Sequence, residues 1–291
     1  MSRRPSTVPA PLLVLAGIVS VQFGGALAAT LVPEIGAGGS VVMRLLFATV
    51  ILLAIARPRW RGHSRRAWAT VVAFGVALGL MNFAFYGSLA HLDIGVAVTI
   101  EFLGPLLLAA ALSRRALDLV AVLVAGIGVL LISEAFSVPL DELSWTGLGL
   151  AATAGACWAA YIILSGRTGA EFDKLEGLAL AMVVATVVTL PFGVASVPQW
   201  DGSVLARGLG IALLSSVLPY SLELVALRRL SAQVFGILLS LEPAVAALAG
   251  LLILGQRLQP MQLVGMACVV TASAIVLGLG ARKDPAESTG S

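Results

Sequence analysis

Four ionisable side chains interrupt the apolar segments of this chain: Arg44, Glu101, Glu223 and Glu242. A charged group at the centre of a bilayer costs at least about 2.5–3.5 kcal/mol, so it normally faces a cavity or a partner. Glu101 and Glu242 stand about nine and eleven residues into their segments, which places both near the middle of a membrane-spanning helix. These two carboxyl groups are the first candidates for binding a proton or a cation.

A proline follows each of these glutamates, Pro105 four residues after Glu101 and Pro243 directly after Glu242. Proline lacks the N–H that a helix needs, and it frees carbonyl oxygens that can line a polar cavity. We therefore expect a central binding or coupling site. The alternative is a structural ion pair, for instance between Arg44 and one of the glutamates. Arg44 lies only a few residues inside its segment and could also extend towards the interface.

Glu223 lies close to one end of its segment, beside Arg228 and Arg229, and this position favours an interfacial ion pair. Uncharged polar side chains complete the candidate site, although each of them could equally serve packing between helices. They are Gln22, Asn82, Tyr86, Tyr161, Tyr220 and Ser240.

Motifs of soluble enzymes are scarce, and no cofactor or metal is expected. Neither Lys174 nor Lys283 follows a glycine, so a phosphate-binding loop is absent. His63 and His91 fall in predicted connections on opposite sides of the membrane, where they cannot join one zinc site. The sequence at 147–152 matches a relaxed dinucleotide pattern, but it lies inside an apolar segment without a preceding strand.

The composition requires lipid as the solvent for much of the chain. Of the 291 residues, 59% are hydrophobic and 11% are charged, against roughly 45–50% and about 25% in soluble domains. A helix needs about 20 apolar residues to cross the hydrocarbon. Ten such segments can be placed, and a β-barrel is excluded because they do not alternate in polarity. The predicted helices span residues 12–32, 40–56, 67–87, 93–112, 117–133, 145–165, 176–197, 205–226, 232–254 and 261–280.

The distribution of Lys and Arg predicts the orientation, since these residues favour cytoplasmic loops. With the N-terminus inside, only Arg207 and Arg257 lie in outer connections, and Arg44 lies within a helix. The other basic residues all fall on the inner side. We therefore expect a multi-pass protein of the cell (inner) membrane with tails 1–11 and 281–291 in the cytoplasm, and no nucleic-acid partner for the net charge of +3.

A weak internal repeat relates the two halves of the chain. Segment 88–105 aligns with segment 226–243 at an offset of 138, which pairs Pro105 with Pro243. Five helices per half is an odd number, so the two halves must have opposite topology. The expected fold is an all-α membrane protein of ten transmembrane helices in two inverted five-helix repeats, residues 12–133 and 145–280. Inverted repeats of this kind recur in secondary transporters.

Five motifs together resemble a known family. The chain is similar to the threonine/homoserine exporters of the EamA branch of the drug/metabolite transporter superfamily, over essentially all of residues 12–280. Arg44 matches the arginine of that family's second helix. The motifs are Met81-Asn-Phe-Ala-Phe-Tyr86, Glu101-Phe-Leu-Gly-Pro-Leu106, Gly155-Ala-Cys-Trp-Ala-Ala-Tyr161, Leu218-Pro-Tyr-Ser-Leu-Glu223 and Ser240-Leu-Glu-Pro-Ala244.

This resemblance implies alternating access and export of small amino acids, rather than an enzymatic activity. Proton antiport would drive export, with Glu101 or Glu242 exchanging protons for substrate, or with a glutamate binding the substrate ammonium while Arg44 binds its carboxylate. Two alternatives remain open: export of another metabolite, such as another amino acid, a purine or a drug-like compound, and a membrane-embedded lipid enzyme. Glycine-rich helix faces are compatible with packing inside the bundle or with a homodimer.

Overall fold

The computed structural model describes residues 8–92, 94–133, 144–254 and 258–281, and within these residues all regular structure is helical. The apolar runs form helices because a chain in lipid must satisfy its backbone hydrogen bonds internally. The all-helical expectation is therefore confirmed. The α-helices are α1 (Ala10–Ala56), α2 (Arg65–Ser88), α3 (Ile94–Leu112), α4 (Ala116–Ile132), α5 (Trp145–Glu171), α6 (Glu176–Gly193), α7 (Gly202–Ala212), α8 (Leu218–Leu227), α9 (Ala232–Leu239), α10 (Glu242–Leu254) and α11 (Pro260–Ala281).

Seven segments of the described chain are long and apolar enough to cross a membrane. Shorter apolar helices, Ala10–Gly25, Ala116–Ile132 and Ala232–Leu248, occupy the positions of the first, fifth and ninth predicted segments. Large apolar side chains such as Leu107 and Leu123 are about two-thirds exposed. Such a surface is stable only against lipid, so the protein is a multi-pass membrane protein. The predicted tails and the connection 134–143 lie largely outside the described residues.

The first two predicted helices, 12–32 and 40–56, form the two parts of α1, which meet at a kink within the predicted connection 33–39. Helix α1 runs through Pro33 and bends at Gly36, whose φ of 72° and ψ of 167° are not helical. Pro33 favours a bend because it has no N–H to continue the helical hydrogen bonds. Gly36 adopts the positive φ without steric cost because it has no Cβ. The break between the two helices therefore lies at Gly36, where a single non-helical residue redirects the chain in place of a longer loop.

The eighth predicted segment contains a π-helical turn, Leu213–Val217, between α7 and α8. The N–H of Leu218 reaches back five residues to the carbonyl of Leu213. Pro219 has no N–H that could bond the carbonyl of Ser215, four residues earlier. This missing hydrogen bond favours the wider π-helical turn. The carbonyl of Leu214 accepts a 2.6 Å hydrogen bond from the Ser20 hydroxyl, so α1 stabilises this turn.

The ninth predicted segment divides into α9 and α10. The N–H groups of Ser240 and Leu241 donate to carbonyls only three residues back, each at 3.1 Å, and a new helix begins at Glu242. Pro243 explains the break, since it removes the donor that would bond the carbonyl of Leu239. Pro105 acts differently, because α3 continues through it. Of the two prolines expected to break helices, only Pro243 does so.

Three contacts join residues that are 137 or 138 positions apart. The hydroxyls of Thr49 and Thr186 are 2.8 Å apart. The backbones of Gly128 in α4 and Gly265 in α11 approach so closely that a Cβ on either residue would lie 2.8 or 2.7 Å from the other's carbonyl oxygen. The third contact lies in the candidate site and is described below.

Candidate functional site

Arg44 lies inside the bundle, with 7% of its surface exposed, so it does not extend to the interface. It stands eight residues after the bend of α1. Its Nη2 donates to the Oδ1 of Asn82 on α2, and its guanidinium carbon lies 5.7 Å from the centre of the Tyr86 ring. Within the described part of the chain, its Nε has no hydrogen-bond partner. The arginine is thus held by one amide and one aromatic ring while part of its donor capacity remains free.

Asn82 orients this arginine because its own amide is fixed on the other side. The Nδ2 donates to the carbonyl of Leu78 one turn earlier at 2.8 Å, and to the Tyr220 hydroxyl at 3.4 Å. With the nitrogen engaged, the Oδ1 faces Arg44. Asn82 and Tyr220 are 138 positions apart, which is the third contact at the offset of the repeat.

Glu223 is buried in the bundle and accepts a 2.6 Å hydrogen bond from the Tyr161 hydroxyl of α5. The expected ion pair with Arg228 or Arg229 was therefore wrong. Arg228 instead donates to the carbonyl of Gly169 in the last turn of α5 at 2.8 Å, and to those of Phe172 and Lys174 beyond the helix at 2.9 and 2.5 Å. The rotation of α8 turns Glu223 towards α5, whereas Arg228 follows the end of α8 and meets the free carbonyls there.

An aromatic bridge connects Glu223 with the arginine. The rings of Tyr161 and Tyr220 lie 5.7 Å apart, and Phe74 packs against Tyr161 at 5.4 Å. Tyr220 accepts from Asn82 as described, so a continuous set of side chains runs from Arg44 through Asn82, Tyr220 and Tyr161 to Glu223. Sequence reasoning included both tyrosines among the polar candidates but missed the role of Glu223. The three-residue spacing of Tyr220 and Glu223, which puts them on one helix face, was the available signal.

Glu101 and Glu242 extend this region on α3 and α10. Glu101 is buried and Glu242 is half-buried. With Glu223 on α8, they make three carboxyl groups within the apolar helices. Among the described residues, the ion pairs within 4 Å involve none of these three groups and not Arg44. The alternative of a structural ion pair therefore has no support in this structure.

Two further candidates, Ser240 and Gln22, form no hydrogen bond with Arg44 or the glutamates among the described residues. The Ser240 hydroxyl is fully buried and donates to the carbonyl of Ile237 at 2.6 Å, so it stabilises the break before α10. Gln22 lies half-buried on the first part of α1. No group of three or more His, Cys, Asp or Glu side chains suited to a metal ion occurs in the described ranges.

A lipid-embedded helical bundle that encloses an arginine and three carboxyl groups is a polytopic membrane protein with a polar interior. Residues 145–278 match the model of the EamA-like transporter family. This match, together with the relatives of 38–39% identity that align over nearly the whole chain, shows that the chain belongs to the EamA family.

The curated relatives that align over nearly the whole chain are named as threonine/homoserine exporters. The chain is 39% identical to the threonine/homoserine exporter RhtA of Escherichia coli (strain K12) over 280 residues, covering 94% of this chain and 92% of the relative. It is 38% identical to the exporter of the same name from Salmonella typhimurium (strain LT2), covering 98% and 96%. A solved crystal structure shares the fold with a TM-score of 0.77 at 17% identity, covering 94% of this chain and 99% of the other.

Proposed function

We propose that this protein is a secondary exporter of small amino acids of the threonine and homoserine type, located in the inner membrane. The names of the relatives indicate the substrate class. The observation that carries the proposal is the buried guanidinium of Arg44. It is held by Asn82 and Tyr86, and its Nε has no hydrogen-bond partner among the described residues.

Arg44 is the binding group for the substrate carboxylate. A guanidinium offers a planar set of N–H donors that matches a carboxylate, and such charge-assisted hydrogen bonds are the strong ones. Because water is scarce around Arg44, an incoming carboxylate gains more from this charge than it would at the surface. Asn82 keeps the guanidinium in place when no substrate is bound.

Glu101 and Glu242 exchange protons for substrate. The charged form of a carboxyl group is costly in a poorly solvated interior, so each of them gains from binding a proton or a substrate ammonium. Glu242 also stands in the first turn of α10, where the helix begins at a break. Discontinuous helices of this kind form ion and substrate sites in secondary transporters. Competition between the proton and the ammonium couples export to proton entry.

The transport cycle is alternating access by two inverted repeats, residues 12–133 and 145–280, with both termini in the cytoplasm. The contacts Thr49–Thr186, Asn82–Tyr220 and Gly128–Gly265 support this architecture. A two-fold relation between the halves brings equivalent residues together along its axis, and the reciprocal approach of the two glycines has this property. The segregation of Lys and Arg supports the orientation.

The first test measures initial efflux from intact cells loaded with labelled threonine. Arg44→Gln and Glu242→Gln are expected to lower efflux at least about tenfold, because a lost hydrogen bond to a charged group costs about 1.5–3 kcal/mol. Asp173→Asn, on a largely exposed side chain, is the control and should export at the wild-type rate. Wild-type efflux by Glu242→Gln at equal expression would overturn the role of the central carboxylate.

Proton coupling requires purified protein in vesicles with an imposed pH gradient. The wild-type protein should accumulate threonine against its concentration gradient. Glu101→Gln or Glu242→Gln should lose accumulation while still exchanging labelled for unlabelled threonine, since exchange needs no net proton movement. If both variants accumulate threonine like the wild type, proton antiport through these residues is wrong.

A further inference from the structure

A cavity of about 240 Å³ lies between the second part of α1, the end of α2 and the end of α6. We name it the Tyr86 pocket. Its walls combine small residues with aromatic rings. They are Ala37 and Gly38 on α1, Tyr86 on α2, Ala90 directly after α2, and Thr189 and Phe192 on α6. None of the residues considered above as binding groups, apart from Tyr86, lines this cavity.

Tyr86 connects the pocket with the arginine. Its ring forms part of the pocket wall and also lies 5.7 Å from the guanidinium carbon of Arg44. Val41, one helical turn before Arg44, lines the same pocket. A molecule that places a carboxylate on Arg44 therefore has this cavity as its neighbour, about one side chain away.

We propose that the Tyr86 pocket receives the side chain of the transported amino acid and limits its size. This inference depends on the proposed function, because it takes Arg44 as the carboxylate site. Ala37 and Ala90 leave space for a short side chain. Phe83 and Phe192, whose ring centres are 3.9 Å apart, form an aromatic wall on one side of the pocket.

The pocket also provides for a hydroxyl group. The Thr189 hydroxyl is buried and donates to the carbonyls of Ala185 at 2.9 Å and Thr186 at 3.2 Å. Because its proton is engaged, its oxygen is left as an acceptor for a substrate hydroxyl. A pocket with apolar walls and one fixed acceptor suits short hydroxylated side chains better than longer alkyl ones.

The size limit is tested with Ala37→Leu, which adds volume to the pocket. Efflux of glycine, alanine, threonine, homoserine and leucine is measured from loaded cells. Threonine and homoserine efflux should fall about tenfold or more relative to glycine and alanine efflux. Ala54→Leu, an exposed position on the same helix, is the matched control and should leave the profile unchanged.

The acceptor is tested with Thr189→Val, which keeps the shape and removes the hydroxyl. The preference for threonine over valine should fall about tenfold, and Thr189→Ser should retain it. Equal folding of all variants is checked by gel filtration in detergent.

The outcomes separate this inference from the proposed function. If Arg44→Gln stops export while Ala37→Leu and Thr189→Val keep the wild-type substrate profile, the exporter proposal stands and the pocket assignment is wrong. An equal loss of all substrates in Ala37→Leu, glycine included, would also overturn the size limit, since a blocked passage does not select by size. If wild-type protein exports no amino acid of the panel, the proposed function itself fails.

Discussion

The amide nitrogen of Asn82 lies 3.4 Å from the hydroxyl of Tyr220, which is 138 positions away, the offset of the predicted repeat. Asn82 also contacts Arg44 through its oxygen, so the junction between the two halves of the chain is part of the arginine site. A movement of one half relative to the other must change this contact. The position of Arg44 and the relative position of the halves are therefore mechanically connected, which is the connection that the proposed alternating-access cycle needs.

Replacement of Asn82 tests this connection. Asn82→Leu removes the partner that orients Arg44, and Asn82→Asp supplies a carboxylate that pairs with Arg44 and competes with substrate. Both variants should raise the KM for threonine about tenfold or more, as expected for the loss of a charged hydrogen bond. Tyr220→Phe removes only a long hydrogen bond and should change the KM less than threefold. A wild-type KM in Asn82→Asp would show that Arg44 does not bind the substrate carboxylate.

The buried pair of Tyr161 and Glu223 gives a prediction about stability. Tyr161→Phe leaves Glu223 without its 2.6 Å donor, and an unsatisfied buried polar group costs about 1–3 kcal/mol. The midpoint of thermal unfolding in detergent should fall by several degrees. Glu223→Gln keeps an acceptor for the tyrosine hydroxyl and should be closer to the wild type. Equal midpoints for Tyr161→Phe and the wild type would contradict a structural role for this hydrogen bond.

The contrast between predicted and observed positions of Glu223 shows what the sequence could not supply. Apolar runs and intramembrane charges are local features, so the helices, Arg44, Glu101 and Glu242 were identified from them. The partner of Glu223 depends on the rotation of α8 about its axis. That rotation follows from the π-helical turn at Leu213–Val217, since one extra residue per turn shifts every later side chain by about 100°.

The bend of α1 lies where the sequence predicts a break between two helices, but the form of that break depends on distant contacts. Pro33 and nearby glycines favour a loop when they are considered alone. The helix continues on both sides because each part packs against a different partner: Ser20 bonds the turn before α8, whereas Thr49 bonds Thr186 of α6. These contacts connect residues more than 130 positions apart, and no local pattern encodes them.

The bend of α1 is also joined to α7 by an ion pair. Arg207 donates to both carboxylate oxygens of Glu34, at 2.7 and 2.6 Å, and to the carbonyl of Thr30 at 3.0 Å. If this pair holds the outer ends of the two halves together during the cycle, Glu34→Arg or Arg207→Glu alone should change the efflux rate roughly two- to fivefold. The double exchange of both charges should restore it.

High salt provides the check on this ion pair. Screening weakens exposed charge pairs, so the difference between the wild type and Arg207→Glu should shrink as external salt is raised from about 0.01 to 1 M. Efflux that is unchanged in both single variants at low salt would show that the pair does not hold the ends together.

The close approach of α4 and α11 at Gly128 and Gly265 predicts a strict requirement for glycine. A Cβ at residue 265 would lie 2.7 Å from the carbonyl oxygen of Gly128, so Gly265→Leu must separate the two helices. Overpacking of this kind costs about 1–3 kcal/mol or more, because neither backbone can move without disturbing its other contacts. The midpoint of thermal unfolding in detergent should fall, and export should fall with it.

Gly278→Leu on the same helix is the control, since nothing lies within 4 Å of a Cβ there, and it should unfold like the wild type. A wild-type midpoint for Gly265→Leu would exclude this backbone contact and, with it, one of the three contacts that support the inverted repeat.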